Sequence, residues 1–567
     1  MNFKVKHIWC LYLQRIFKLK YLILIYIVMH GYYLYCQRYS QTSLRLFRKP
    51  LNGKIENKLF KQMIYSKHNI TENLHDIKHV VKIMKEKLLV GENHDLSEKE
   101  TVSLIQKGAP NLPIEFWLEN KNKNLRFNKT CAKFPSILEL NYNNIYWQVL
   151  ETKNKTYFYV YSAHFDNRTL VKERPVVRIL SMINTVKPYI TTYCQLWFQG
   201  KKEPVFSKVS STTYIWIKAW GGYHNGILQP YLLTCEIPSS LKGEIPASVS
   251  LVEHPCDLAT NHLRVVNNQP EFGHKKDFAV CVKGMDFLRY DMSVILVEWL
   301  ELLFLMGVHK VFIYNMETHP NNMKVLQYYQ SQNKVHIIPI TLPGFYPNLH
   351  DLRHYFVKKK VLFKRQTEVI PYNDCFYMNM NRYKFISLLD TDEMIMPKKS
   401  NDWIDLLKII KEKDKTTNRR SSYVFRNVYV MDSMREPHGW NSSFPKYMKL
   451  SQNVWRSKNY TKPGAYIKAF HDTERILVLH NHFPFKCIGD GCSHFSVDTE
   501  DAHLVHYRNG CVGELNKVCP EMQRNPVKDT SIWRYLDKLV FRTRRTLTKL
   551  GFLSIYETNS EDQAVTL

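Results

Sequence analysis

The sequence predicts an α/β protein: an open, mostly parallel sheet with helices on both faces, preceded by a β-rich module and an N-terminal membrane anchor helix. Three observations carry this. Between residues 277 and 389, short apolar runs of strand character alternate with helical runs, the rhythm of a parallel sheet with crossover helices. Between 116 and 254, strand-like runs broken by Gly, Pro and Asn follow one another without helices. Finally, Tyr21 to Cys36 contains no acid and no Lys or Arg, and it follows a tail holding Lys4, Lys6, Arg15, Lys18 and Lys20.

From the N-terminus, residues 1–20 read as a basic cytosolic tail and 21–36 as a signal-anchor helix of ~24 Å at ~1.5 Å per residue. That is a little short of the ~20 residues usual for a membrane span. Arg38, Arg45, Arg48 and Lys49 beyond the span nearly balance the flanking charge, so orientation rests on other features. The N-glycosylation sequons at Asn69, Asn128, Asn154, Asn167, Asn441 and Asn459 all follow the anchor. Of twelve cysteines, Cys10 and Cys36 belong to the anchor region, which leaves an even ten for bridges in an oxidising lumen. Cys487 and Cys492 lack a Cys/His partner box at zinc-finger spacing, which favours a disulfide over a zinc site. The expected placement is a single-pass type II protein of the Golgi membrane with its catalytic part in the lumen.

Residues 37–112, rich in Lys, Asn, Glu and His, read as a stem. The β-rich part, 113–270, contains the strand candidates Thr156–Tyr161, Val176–Leu180, Thr191–Phe198, Tyr214–Ile217 and Ala247–Val252; their many aromatic residues read as core rather than as a sugar-stacking surface. The expected catalytic domain is 271–515. In it Asp277–Val282 is a strand, Ser293 caps an apolar helix Val294–Met306 that stops at Gly307, and Val308–Tyr314 is the next strand. Helix Pro320–Tyr329, strand Val335–Ile340, a helical stretch near Leu352–Phe363 and strand Phe385–Leu389 complete the alternation. Residues 516–567 form a C-terminal extension.

The last of these strands runs into Asp390-Thr391-Asp392-Glu393. In an open α/β sheet ligands bind beyond the carboxyl ends of strands, where these acids fall. Three carboxylates in four residues repel one another unless something positive sits among them. Mn²⁺ or Mg²⁺ suits the place, because such ions take oxygen ligands and leave positions for water or substrate phosphate. The formal charge of +29 raises nucleic-acid binding, but no zinc finger, RNP or helix-turn-helix pattern accompanies it and the basic residues are spread along the chain. No nucleic-acid partner is expected.

Glu301-Leu-Leu-Phe-Leu-Met-Gly-Val-His-Lys-Val-Phe-Ile-Tyr, Asn373-Asp374-Cys375, Phe385 to Pro397 and His506-Tyr507-Arg508 together resemble glycosyltransferase family 92; upstream, Tyr161 to Arg168 resembles that family's Ala-Tyr-x-Asp-x-Arg segment. Met306, Met394 and His164 depart from the family's usual residues, and none of these removes a carboxylate. The resemblance implies a GT-A-type fold, a nucleotide-sugar donor such as UDP-galactose, a divalent metal, and inverting transfer of a hexose to a glycan acceptor on glycoproteins. It implies Asp390 and Asp392 as holders of metal and donor diphosphate, His482 as a further metal ligand, and Arg508 as a phosphate contact. Cys375, in the family-like Asn-Asp-Cys, and Cys281, on the first catalytic strand, are expected to include at least one bridged residue. Inversion in one displacement needs a carboxylate base; Asp432, Asp472, Glu474 and Asp490 are the candidates. The alternative is a lumenal glycan-binding protein that keeps the fold without catalysis.

Overall fold

The structure, a computed structural model, describes residues 96–553 apart from 121–130, 169–170, 172–173, 271–272, 490, 512–515 and 518. The anchor expected at 21–36 and most of the stem lie outside the described residues. Among the described residues no helix is long and apolar enough to cross a membrane. The sequon residues Asn154, Asn167 and Asn459 are exposed, and Asn441 is half-buried.

After helices Glu98–Gly108 and Ile114–Asn120 comes a hairpin of β1 (Tyr142–Asn144) and β2 (Trp147–Glu151). The chain then builds β3 (Tyr157–Asp166), β4 (Val176–Ile183), β5 (Tyr193–Trp197), β6 (Val205–Tyr214), β7 (Gln229–Glu236), β8 (Ser248–Val252) and β9 (Leu263–Val266). These pair in the order β3-β4-β7-β6-β5-β8-β9, and β9 returns to β3, so the β-rich part is a closed seven-stranded barrel. β3 serves two neighbours on one side by bulging near residue 161: Tyr157–Val160 pair with β2, and Ala163 and His164 pair with β9. Phe158, Val160, Ile179, Leu196, Leu233 and Leu251 fill the interior, and a buried Cys194–Cys235 bridge links β5 to β7. Closure leaves these strands no open edge.

Downstream come β10 (Lys276–Phe287), β11 (Lys310–Thr318), β12 (Val335–Pro339), β13 (Tyr383–Leu388), β14 (Glu393–Pro397), β15 (Ser422–Phe425), β16 (Asn427–Met431), β17 (Trp455–Arg456), β18 (Lys468–Asp472), β19 (Ile476–Leu479), β20 (Pro484–Cys487), β21 (His494–Ser496), β22 (Ala502–Arg508) and β23 (Val527–Lys528). One sheet has the order β12-β11-β10-β13-β18-β15-β21, and a second has β14-β22-β16-β17-β23. Here the expected GT-A-type fold, an open, mostly parallel sheet with helices on both faces, is corrected. β18 inserts antiparallel between β13 and β15, and the strand beginning at Glu393 leaves for a second sheet in which β22 is antiparallel to β14 but parallel to β16. With the closed barrel upstream, the architecture is barrel plus mixed sheets. The reason is physical: a buried strand is apolar on both faces whichever way it runs, so its sequence does not encode the direction of its partner.

Alternation on the strands serves two cores. Phe278, Val280, Val311, Ile313 and Phe385 face helices Ser293–Leu305, Pro320–Ser331, Trp403–Lys413 and Leu536–Lys549. Ala279, Cys281, Phe312, Tyr314 and Ile386 face helix Val361–Asn379, behind which lie the barrel residues Tyr161, Leu180, Trp216 and Leu232. Ser293 is the first helical residue rather than a cap: its own N–H donates to Asp291 Oδ1 at 2.9 Å. Gly307 ends this helix as expected, with φ of 92°. The helical stretch expected near 352–363 is two helices, His350–Lys359 and Val361–Asn379. The second was concealed by Pro371, which reads as a breaker, and by burial on nearly every side, which erases amphipathic periodicity.

All ten cysteines beyond the anchor region are bridged: Cys131–Cys256, Cys194–Cys235, Cys281–Cys375, Cys487–Cys492 and Cys511–Cys519. Cys281–Cys375 closes 94 residues and ties β10 to helix Val361–Asn379. A bridge of this kind contributes about 2–4 kcal/mol. Replacing both cysteines by Ala is expected to lower the melting temperature by roughly 5 °C or more. Thiol labelling of both residues in native, non-reduced protein would contradict the pairing.

Candidate active site

Asp390, Thr391 and Asp392 bridge the end of β13 and the start of β14, the point at which the chain leaves one sheet for the other. Glu393 turns inward, 2 % exposed, and its Oε2 accepts the Asp390 N–H at 2.9 Å. Asp392 stays outside: its carboxylate is 48 % exposed, and its Oδ2 lies 3.2 Å from His506 Nε2.

The positive charge that the three acids demand comes in large part from the chain itself. Lys283 on β10 donates to Asp390 Oδ2 at 3.1 Å and stands 4.0 Å from Glu368 Oε1. Lys468, the buried first residue of β18, lies 3.0 Å from Glu393 Oε2 and 3.9 Å from Asp390 Oδ2. Burial penalises the Asp390 carboxylate, but the two ammonium groups outweigh it and hold its carboxyl well below the usual range. Glu393 goes the other way: burial raises it, and Lys468 offsets only part of the rise. Neither lysine was anticipated. The available signal was a lone Lys in an otherwise apolar strand, Ala279-Val-Cys-Val-Lys283 and Tyr466-Ile-Lys468-Ala-Phe.

The other expected site residues divide. Arg508, at the end of β22, donates from Nε to His506 Nε2 at 3.2 Å, so it stands one side chain from Asp392. Asp432 follows Met431, which pairs with Arg508 across β16 and β22, and thus occupies the same end of the second sheet. His482 sits on the turn after β19. Its Nδ1 meets Ile467 O at 3.0 Å, and its Nε2 lies 3.3 Å from Asn481 Nδ2. Burial and the nearby Lys468 push the imidazole down to about 3, so it is neutral at physiological pH. Asn481 Oδ1 in turn accepts from Lys468 at 2.8 Å, which connects this turn to the acids.

Asp472 and Glu474 do not join them. Asp472 pairs in register with Phe385, four residues before Leu389, or roughly 13 Å at about 3.3 Å per residue. It accepts from Arg419 at 2.6 Å, and Glu474 pairs with Lys275. Asp490 lies outside the described residues.

Asn373-Asp374-Cys375 is a three-way clamp. Asn373 exchanges two hydrogen bonds with the Leu479 backbone, at 2.9 and 2.8 Å. Asp374 takes Tyr314 OH at 2.5 Å and lies 2.9 Å from His164 Nε2 of the barrel. Cys375 is bridged to β10. Arg168 forms a second link, holding Asp166 at 2.8 Å from both Nε and Nη2 while Nη1 donates to Thr473 O and Ile476 O at 2.8 and 2.5 Å.

A domain of mixed sheets with paired aspartates at a strand end, fixed to a barrel by buried polar clamps, therefore frames this site. Residues 276–541 match the model of glycosyltransferase family 92. Among curated relatives it is similar to beta-1,4-galactosyltransferase galt-1 of Caenorhabditis elegans, 23 % identical over 249 residues, 42 % of this chain and 51 % of that protein. The chain thus spans about half the length of that relative. Solved structures include Staphylococcus aureus TarS 1–349 (8 % identity, 27 % of this chain and 35 % of that one, TM-score 0.16) and the WbbM bifunctional glycosyltransferase (12 %, 38 % and 36 %, TM-score 0.16). Scores of this size carry no argument about fold.

Proposed function

We propose that the protein transfers a hexose, galactose from UDP-galactose, with inversion, onto the glycan of a glycoprotein in the Golgi lumen. The observation that carries this reading is the placement of Asp390 and Asp392 at the end of β13 inside the family 92 domain. Five disulfides and exposed sequon residues suit an oxidising, glycosylating compartment.

Asp392, half exposed and next to Asp390, has the donor chemistry for a hard divalent cation completed by diphosphate and water oxygens. Among the described residues no group of three or more His, Cys, Asp or Glu would hold such an ion unaided. Asp390 and Asp392 would hold it, and His482 would join only by releasing Asn481 from Nε2. Bound there, Mn²⁺ or Mg²⁺ supplies a Lewis acid for the leaving diphosphate. Arg508 would offer a guanidinium to a phosphate oxygen beside Asp392, and Asp432, whose Oδ1 accepts a long 3.3 Å bond from Asn453 Nδ2, would take the acceptor proton.

The test is transfer by the full chain from a panel of UDP- and GDP-sugars to N-glycans released from a glycoprotein, with Mn²⁺ or with EDTA. UDP-galactose is expected to give product whose new linkage has inverted anomeric configuration, at least tenfold faster with Mn²⁺. Binding of glycans without turnover of any donor would instead support a catalytically inactive glycan-binding protein.

A further inference from the structure

Among the aromatic residues of the barrel part, expected in the core, Trp216 does lie there, 2 % exposed. Trp220 does not. It ends the single turn Lys218–Trp220 beyond β6 and is 45 % exposed, and besides Trp216 its ring neighbours belong to the family 92 domain. Its ring centroid lies 4.7 Å from His480 and 6.4 Å from Phe483. Two residues further along the same turn, His482 meets Tyr466, which is 46 % exposed and whose ring stands edge-on to it at 6.2 Å. Two half-exposed aromatic rings therefore contact residues 480–483, and Asn481 of that turn holds the Lys468 that serves Asp390.

Both rings are held in place. Gly221 and Gly222 follow Trp220 with φ of 89° and 71°, and a Cβ on Gly222 would fall 2.9 Å from Gln366 Nε2, so this barrel loop seats closely on helix Val361–Asn379. Tyr466 adopts φ of 55°, a left-handed conformation that bulky residues avoid and that clusters at functional sites. Beneath Trp220, His480 is 3 % exposed, and neither of its ring nitrogens has a hydrogen-bond partner. An orphaned buried polar group of this kind calls for a ligand or solvent partner.

We propose that Trp220 and Tyr466 form the acceptor subsite: the apolar face of an acceptor saccharide packs on Trp220, so that the barrel presents the acceptor to the acids of the family 92 domain. The occupant is a saccharide because such rings offer an apolar CH face to an aromatic plane and hydroxyls to the polar groups around it, and because Asn481, in the turn that both rings contact, accepts a hydrogen bond from the buried Lys468 beside Asp390. This rests on the glycosyl-transfer reading.

The experiment uses the full chain and N-glycans released from a glycoprotein, comparing wild type with Trp220→Ala, Trp220→Phe and Tyr466→Ala by transfer kinetics and by calorimetric glycan binding. Trp220→Ala is expected to raise the acceptor KM at least tenfold, with donor KM and melting temperature unchanged and Trp220→Phe recovering most of the loss; Tyr466→Ala raises it several-fold. An unchanged acceptor KM in a folded Trp220→Ala protein overturns the proposal. So does an equal loss of donor and acceptor affinity accompanied by a lower melting temperature. If wild type transfers nothing, the glycosyl-transfer reading fails, and binding alone decides this one: glycan binding lost in Trp220→Ala supports the subsite, and no glycan binding by wild type overturns it.

Discussion

Replacing Asp392 by Asn is expected to reduce glycosyl transfer at least 100-fold while leaving the protein folded. The substitution preserves shape and one carbonyl oxygen but removes the charge facing the site. A 100-fold loss corresponds to about 2.7 kcal/mol of transition-state stabilisation. Stability is spared because the carboxylate is 48 % exposed and its contact to His506, at 3.2 Å, is long, and surface substitutions stay within about ±0.5 kcal/mol. Asp390→Asn should differ in kind: it removes the partner of Lys283 and a neighbour of Lys468, so transfer and melting temperature should fall together. Transfer kinetics and a thermal scan on both variants separate the two. Near-normal transfer by a well-folded Asp392→Asn protein would mean that this carboxylate takes no part in the reaction.

The largest loss of stability is expected at the link between barrel and family 92 domain. Arg168 is 4 % exposed, Asp166 is fully buried, and Arg178 lies 3.2 Å from the same carboxylate. Arg168→Met leaves Thr473 O and Ile476 O without this donor and Asp166 with Arg178 as its remaining cation. Breaking a buried pair from one side costs about 3–5 kcal/mol. Urea unfolding followed by proteolysis should show the shift, and an unchanged midpoint would count against this link. The pH dependence has a definite sign. Burial raises the Asp166 carboxyl, but Arg168 and Arg178 overcome this and hold it at about 2, below an unfolded value of ~3.9. A lowered folded pKa stabilises fully above the unfolded value and is lost as pH falls through about 2, so about 2–3 kcal/mol should disappear between about pH 5 and pH 1. In Asp166→Asn that acid limb should flatten.

Some of this was legible in the chain. Runs such as Phe385–Leu389 and Val294–Met306 became a strand and a helix because their apolar character is local and dense. The even set of ten cysteines emerged as five bridges because an oxidised fold leaves few buried thiols unpaired. Strand β6 and the second half of helix Val361–Asn379 escaped notice, the first for its polar Ser and Thr residues and the second for Pro371.

By itself the sequence determined which residues could carry charge and chemistry: the acids of 390–393, the family-like segments, and the alternation of strand and helix between 277 and 389. Only the tertiary structure decided what those acids meet. Lys283 and Lys468 lie 107 and 78 positions from Asp390, and no local pattern ties residues so distant. Their pairing exists because β10 and β18 flank β13 in one sheet. The same long-range packing sent Asp472 and Glu474 to the far end of β18, kept Asp432 beside Arg508, and closed the upstream strands into a barrel. Direction and neighbour along a sheet are set by how whole faces bury against one another, and a strand's own residues record only that it will be buried.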